Sequence, residues 1–189
     1  MRVAKTAVLE WFDKQERSYR LALLCTYWIR DTAPYKPSVS DTARGLRMEV
    51  RGQWLSFADL ADMLEQQPSR DVLSSDFVLN QLHALIRTPF GILEDYCKAY
   101  DKAESTRCLW QKMQATSWFH FTRIVGNAIS HNFHFDYKPK DKRILPITWN
   151  GTTLSPEMEG QPITYELWHK RGYELFLEMK AFAELLPEA

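Results

Sequence analysis

Apolar and polar positions follow a helical period along most of this chain. Over residues 3–30, Val8, Trp11, Phe12, Tyr19, Leu23, Tyr27 and Trp28 fall near helical spacing and predict a long first helix with those residues on its core face. The prolines, serines and glycine of residues 32–45 predict a connection. In LRMEVRGQWLS, Leu46, Met48 and Val50 alternate with charged residues, which predicts a short extended segment. Ser56 is the expected N-cap of a short helix that runs to about Gln67, where Pro68 stops it.

Residues 70–104 read as helical but contain Pro89. A proline costs about 3 kcal/mol inside a helix and little in its first turn, so Thr88 and Pro89 predict a cap and a break or sharp kink. The next helix is expected over about 105–134. The period then changes. Asn150-Gly151, between residues 143–149 and 152–155, predicts a two-residue β-hairpin turn, because both positions tolerate positive φ. Thr164 is expected to cap a last helix over about 165–186, with Leu167, Trp168, Leu175, Phe176, Met179 and Phe182 facing the core. The fold class expected is mainly α: one helical-bundle domain over residues 1–189, with a small β-hairpin before the C-terminal helix.

Residues 119–137, FHFTRIVGNAISHNFHFDY, stand out within that pattern. With His120 at zero and ~100° per residue, Arg123, Asn127, His131 and His134 fall at roughly 300°, 340°, 20° and 320°. Ile124, Ala128, Phe121, Val125 and Ile129 cover a separate arc from about 40° to 180°, the width of a core-facing stripe. A histidine can exchange a proton near neutral pH, and an arginine can stabilise charge building on a phosphate. An asparagine can orient either the histidine or the substrate.

Composition narrows the setting. The chain is large and apolar enough for a real core. Its 24 basic and 24 acidic residues cancel, which argues against indiscriminate polyanion binding and leaves room for a local basic cleft. No apolar run suits a signal peptide or a membrane span, so a cytoplasmic protein with no membrane association is expected. Cys25, Cys97 and Cys108 are widely spaced and odd in number, and read as reduced, buried thiols.

Other chemistry is sparser. His131 and His134, one turn apart, could both reach an ion, but a closed site needs further ligands and Asp136 is the only nearby carboxylate, so no metal is expected. Lys138, Lys140, Lys142 and Arg143 form a basic run that could steer a phosphate backbone towards His134 and His120. His83 and Arg87 form a second same-face pair on the preceding helical stretch. There is no glycine-rich phosphate loop, nucleophile elbow or paired-cysteine motif.

The run Asn127-Ala128-Ile129-Ser130-His131-Asn132 resembles the motif helix of the HEPN superfamily. There an arginine is followed by a polar residue, often asparagine, and after a few residues by a histidine. The resemblance implies a HEPN-like bundle and a metal-independent endoribonuclease of a prokaryotic toxin or antiviral defence system, with no cofactor. It implies that His131 activates the ribose 2′-hydroxyl or protonates the leaving oxygen, that Asn127 supports the site and that Arg123 carries the phosphate charge. The implied partners are RNA or a nucleotide, a second copy of the chain and an antitoxin. The sequence departs from the motif at Gly126, where the family has its arginine. Arg123 lies about 12 Å from His131 along the axis and leans away from it, so it would serve the site across a two-fold. The alternative is a catalytically inactive HEPN-like dimeric interaction or nucleotide-binding module.

Overall fold

The first helix, α1 (Lys5–Asp31), is close to its expected span. Its core face is narrower than the spacing suggested. Val8, Phe12, Tyr19 and Ala22 are buried, whereas Trp11, Leu23 and Tyr27 are exposed. The computed structural model describes residues 4–31, 37–50, 52–163 and 171–188; the Trp28 side chain lies outside what is described.

The expected connection over 32–45 holds a second helix, α2 (Pro37–Gly45). Pro37 takes the first helical position, where its missing N–H costs nothing. The alternating segment after it is the first strand of a hairpin, β1 (Arg47–Val50) antiparallel to β2 (Gln53–Ser56). Ser56 Oγ accepts the Ala58 amide at 3.2 Å, but the N-cap of α3 (Ala58–Glu65) is Phe57, one residue later than expected. Arg44 of α2 ties to Asp62 and Glu65 of α3, each at 2.7 Å.

The longest helix, α4 (Gln67–Ala103), runs through Pro89, so of the break or kink expected there the break does not form. Leu85, Ile86, Phe90 and Leu93 around the proline are all buried. Each such side chain contributes roughly 1.5–3 kcal/mol, so together they outweigh the ~3 kcal/mol that proline costs.

The helix expected over 105–134 is two helices, α5 (Cys108–Gln114) and α6 (Phe119–Ser130). Between them the Thr116 hydroxyl donates to the Met113 carbonyl at 2.8 Å, a local bond that competes with helix continuation. After Ser130, Asn132 and Phe133 take positive φ (54° and 60°) and turn the chain. The amide of Phe135 then bonds the Gln161 carbonyl at 3.0 Å, and that of Ile163 bonds the Phe133 carbonyl at 2.9 Å. A single turn, α7 (Pro139–Lys142), follows.

The Asn-Gly hairpin forms as expected, with β3 (Ile147–Trp149) paired to β4 (Thr152–Leu154) and positive φ at both Asn150 and Gly151. Trp149 packs 5.3 Å from Phe121 of α6. The last helix, α8 (Gly172–Glu184), buries Leu175, Phe176 and Met179, with Phe176 5.5 Å from Phe12. Thr164, Leu167 and Trp168 lie outside the described residues.

The architecture is therefore mainly helical, with a small antiparallel hairpin before the C-terminal helix. The chain divides into two compact units, Met1–Arg17 with Leu82–Ala189, and Ser18–Gln81. No described helix is long and apolar enough to cross a membrane. The three cysteines are free, but only Cys97 is buried, and burial beside Asp101 pushes its thiol up to about 12. Cys108 is exposed because it opens α5 at the surface.

Asp101, near the end of α4, is buried and accepts the amides of Leu109 (3.0 Å) and Trp110 (2.9 Å) and the Thr106 hydroxyl (3.1 Å). It thereby caps α5, whose own N-cap Arg107 makes no side-chain bond. Burial alone would raise its pKa, but the bonds from Trp110, Leu109 and Thr106 outweigh that and hold it below the ordinary 3.8. Replacement Asp101→Ala is expected to cost about 2 kcal/mol in urea unfolding at neutral pH. A carboxylate with a lowered folded pKa contributes fully above its unfolded value and loses that contribution as pH falls through the folded one. The gap between the wild type and the variant should therefore narrow only below pH 3.8.

Candidate functional site

Helices α4 and α6 run antiparallel, as three meeting points show. Phe90 lies 5.4 Å from Phe119, and a Cβ placed on Gly126 would sit 4.0 Å from Ile86 Cγ2. At the far end His83 Nε2 lies 3.3 Å from Ser130 Oγ. Position 126, where the resemblance calls for arginine, thus faces the packed surface of α4. A methyl group fits there in ordinary contact, whereas a longer side chain must displace Ile86.

The five polar residues expected on one helical arc, His120, Arg123, Asn127, His131 and His134, are not all on one helix. His131 is the C-cap of α6, with φ −112° and ψ 59°, and His134 lies beyond the turn at Asn132 and Phe133. His134 pairs with Pro162 as an isolated bridge, and its Nδ1 lies 2.7 Å from the Asn132 carbonyl. The helical wheel failed here because it assumed that α6 continued past Ser130.

Arg123, expected to carry the phosphate charge, is neutralised instead. Its Nη1 lies 2.6 Å from Oδ1 of Asp141 on α7, whose side chain is 1% exposed. The approach is off hydrogen-bond angles, so the contact is an ion pair and not an aligned bond. Removing one partner from a pair this buried typically costs 3–5 kcal/mol, which marks Arg123 as a structural cation. Asp141 lies in sequence within the basic run of Lys138, Lys140, Lys142 and Arg143. Lys138 and Lys140 are exposed beside this carboxylate, and Lys142 is paired with Glu159 at 2.7 Å. The basic run therefore sits by Arg123, about 12 Å along the helix axis from His131.

His120, one turn before Arg123, stacks edge-on to Phe119 at 5.0 Å, and its buried Nδ1 makes no hydrogen bond. Burial lowers its pKa, the Arg123 charge adds to that, and Asp141 opposes it. It belongs to the packed half of α6, away from His131.

What converges at the C-terminal end of α6 is a different set. Ser130 Oγ donates its one proton to the Gly126 carbonyl at 2.9 Å. The imidazole of His83 must then donate from Nε2 to that oxygen, which leaves Nδ1 with a free lone pair. Burial, aided by Arg87 one turn along α4, lowers the His83 pKa and favours this neutral form. Exposed His131 follows Ser130 directly, and half-buried Asn127 lies one turn back with no side-chain bond to another described residue. The sequence signal for His83 and Arg87 was their i, i+4 spacing; the link to Ser130 spans 47 residues and left no local trace.

This end of the helix pair thus presents two imidazoles, an amide and an exposed guanidinium. Such a set can move protons and hold a phosphate. Among the described residues no group of three or more His, Cys, Asp or Glu side chains is placed to hold a metal ion. Comparison with protein-family models, characterised proteins and solved structures finds no match.

Two outcomes are expected. First, Gly126→Ala should stabilise the fold by about 0.5–1 kcal/mol, because a helical glycine gains from a methyl group that has room. Gly126→Arg should destabilise it by about 1–3 kcal/mol through overpacking against Ile86, both read from urea midpoints. Second, His83 and His120 are held below the ordinary 6.5, so the unfolded chain binds protons that the fold does not. Stability should fall as pH drops below 6.5 towards the lowered folded values, and a His83→Gln/His120→Gln variant should show a flatter profile in thermal melts.

Proposed function

We propose that this chain is a HEPN-like protein that cleaves RNA without a metal at the end of α6. The observation that carries the reading is the bond from His83 to Ser130, which sets an imidazole with a free Nδ1 against the residue that directly precedes His131. In this scheme His83 Nδ1 takes the ribose 2′-hydroxyl proton as the 2′-oxygen attacks phosphorus. His131 gives a proton to the departing 5′-oxygen as its bond to phosphorus breaks. The products are a 2′,3′-cyclic phosphate and a 5′-hydroxyl, and DNA, lacking the 2′-hydroxyl, resists. Arg87 takes the phosphate charge in place of Arg123, and Asn127 orients the phosphate or the imidazole. Two well-placed proton-transfer groups each supply about 10²–10⁴-fold. An activity of this kind suits a toxin or antiviral role, with the homodimer and antitoxin that the resemblance implies as its partners.

A second reading is favoured by the neutralisation of Arg123 and by Gly126 facing α4. On it, the same end of the helix pair binds RNA or a nucleotide and does not cleave it.

Purified protein incubated with mixed structured RNAs in EDTA should give cyclic-phosphate ends. His83→Ala and His131→Ala should each slow this by about 10²-fold or more. Absence of cleavage, or equal cleavage by the variants, rejects the catalytic scheme. RNA retention that Arg87→Ala weakens, without cleavage, would then support the second reading.

A further inference from the structure

The β1–β2 hairpin is exposed on both faces. Every side chain described in it, at residues 47–49 and 53–56, is exposed, including Met48 (50%), Trp54 (68%) and Leu55 (48%), and Leu46 just before it is 51% exposed. A lone two-stranded hairpin is marginal in water and gains independent stability from a third strand or a covered apolar face. The described strands form a two-stranded sheet with nothing paired to the outer edge of β1. No proline or lysine blunts that edge, and these are common devices against strand addition.

The register says which residues the edge offers. Val50 pairs with Gln53, so two residues connect the strands. In such a turn the closing residues point their backbone groups at each other. Alternation along an antiparallel ladder then turns Met48 towards β2, and turns the N–H and C=O groups of Arg47 and Glu49 outward. A neighbouring strand must meet the edge at these two residues.

We propose that the partner is a second copy of this chain, with β1 pairing antiparallel to β1 across a two-fold axis at Met48 to form a four-stranded sheet. Of the four residues of β1, Val50 as the axis would run the pairing off the strand, setting Met48 against Gly52, which leaves axes at residues 47, 48 and 49. An axis at residue 47 sets Arg47 against its own copy, and one at residue 49 does the same with Glu49. Only the axis at Met48 sets Arg47 opposite Glu49 of the other copy, twice by symmetry. Opposite charges in directly facing positions stabilise a ladder and like charges destabilise it. The same register joins both outward-facing residues by backbone hydrogen bonds and sets Met48 against Met48, with Leu46 and Leu55 on the same face. β2 (Gln53–Ser56) carries no charge and offers no such selection. The inference uses none of the α6 residues; it names a surface for the second copy that the ribonuclease reading implies, and a dimer indifferent to Arg47→Glu would reject this surface while leaving that reading intact.

The test uses the full chain in sedimentation equilibrium. A dimer is expected, and Arg47→Glu should raise its dissociation constant by about tenfold or more, through two facing pairs made repulsive. Adding Glu49→Arg to that variant exchanges the charges and should restore the dimer. In a Cys25→Ala/Cys108→Ala background, Met48→Cys should form an intermolecular disulfide under mild oxidation. A facing non-hydrogen-bonded pair has Cα atoms about 4.5 Å apart, within disulfide reach. Arg47→Cys and Glu49→Cys should not crosslink, because their copies lie on a diagonal at about 7–8 Å. A monomer at all concentrations would overturn the proposal. So would a dimer indifferent to Arg47→Glu, or crosslinking at residues 47 or 49 as fast as at 48.

Discussion

Eight of the twelve residues of α6 are buried, among them Phe119, Phe121, Ile124, Val125 and Ile129, so packing against α4 and the β3–β4 hairpin sets where the helix lies. Interiors at this density leave little freedom to rotate a helix towards a preferred polar arrangement. The polar residues of α6 therefore take whatever surroundings the packed face leaves them. Gly126 is committed to Ile86, and the helix end at Ser130 is committed to His83. The chemistry assembles at the end of the helix pair because that is where packing stops and polar side chains from both helices reach solvent together.

The Arg123–Asp141 pair shows how strongly such surroundings redirect a side chain. The Asp141 carboxylate is 1% exposed, burying a charge is costly unless it is paired, and Arg123 is the cation beside it. A bound phosphate would compete for that guanidinium only by stripping Asp141, at a cost on the order of 3–5 kcal/mol. Arg87 carries no such debt among the described residues, and it lies on the same face of α4 as His83. Charge stabilisation at this site therefore rests more naturally on α4 than on the motif helix.

Where local chemistry decides the structure, the sequence was readable. Asn150-Gly151 demands positive φ at two successive residues, and the hairpin formed there. The apolar periods of α1 and α8 located both helices. Where distant packing decides, reading failed. Pro89 stays inside α4 because four buried neighbours hold the helix together, and a window around it shows those apolar residues but not the α6 residues, such as Phe119 and Gly126, that they pack against. The end of α6 was hidden because the turn uses Asn132 and Phe133 at positive φ, and only the asparagine is a usual choice for it. Of the site, the residues were named but their grouping was not. His131 and Asn127 stay near each other, His120 and Arg123 belong to a buried ion-pair region, and His83 joins from a helix 47 residues away.

The two hairpins make the same point about covered and uncovered faces. β3–β4 has only three residue pairs, yet Trp149 and Leu154 are buried and Trp149 stacks on Phe121. β1–β2 has four pairs and a comparable two-residue connection, but none of its described side chains is buried. Backbone pairing alone is worth little net free energy, because each hydrogen bond formed replaces bonds to water. The longer hairpin is therefore the less self-sufficient of the two. Exposed Leu46, Met48, Trp54 and Leu55 are the residue types that would supply the missing burial, and each gains only when something covers it. Its alternating Arg47 and Glu49 bear on the identity of the cover, since they match a strand carrying the same two charges in reverse order.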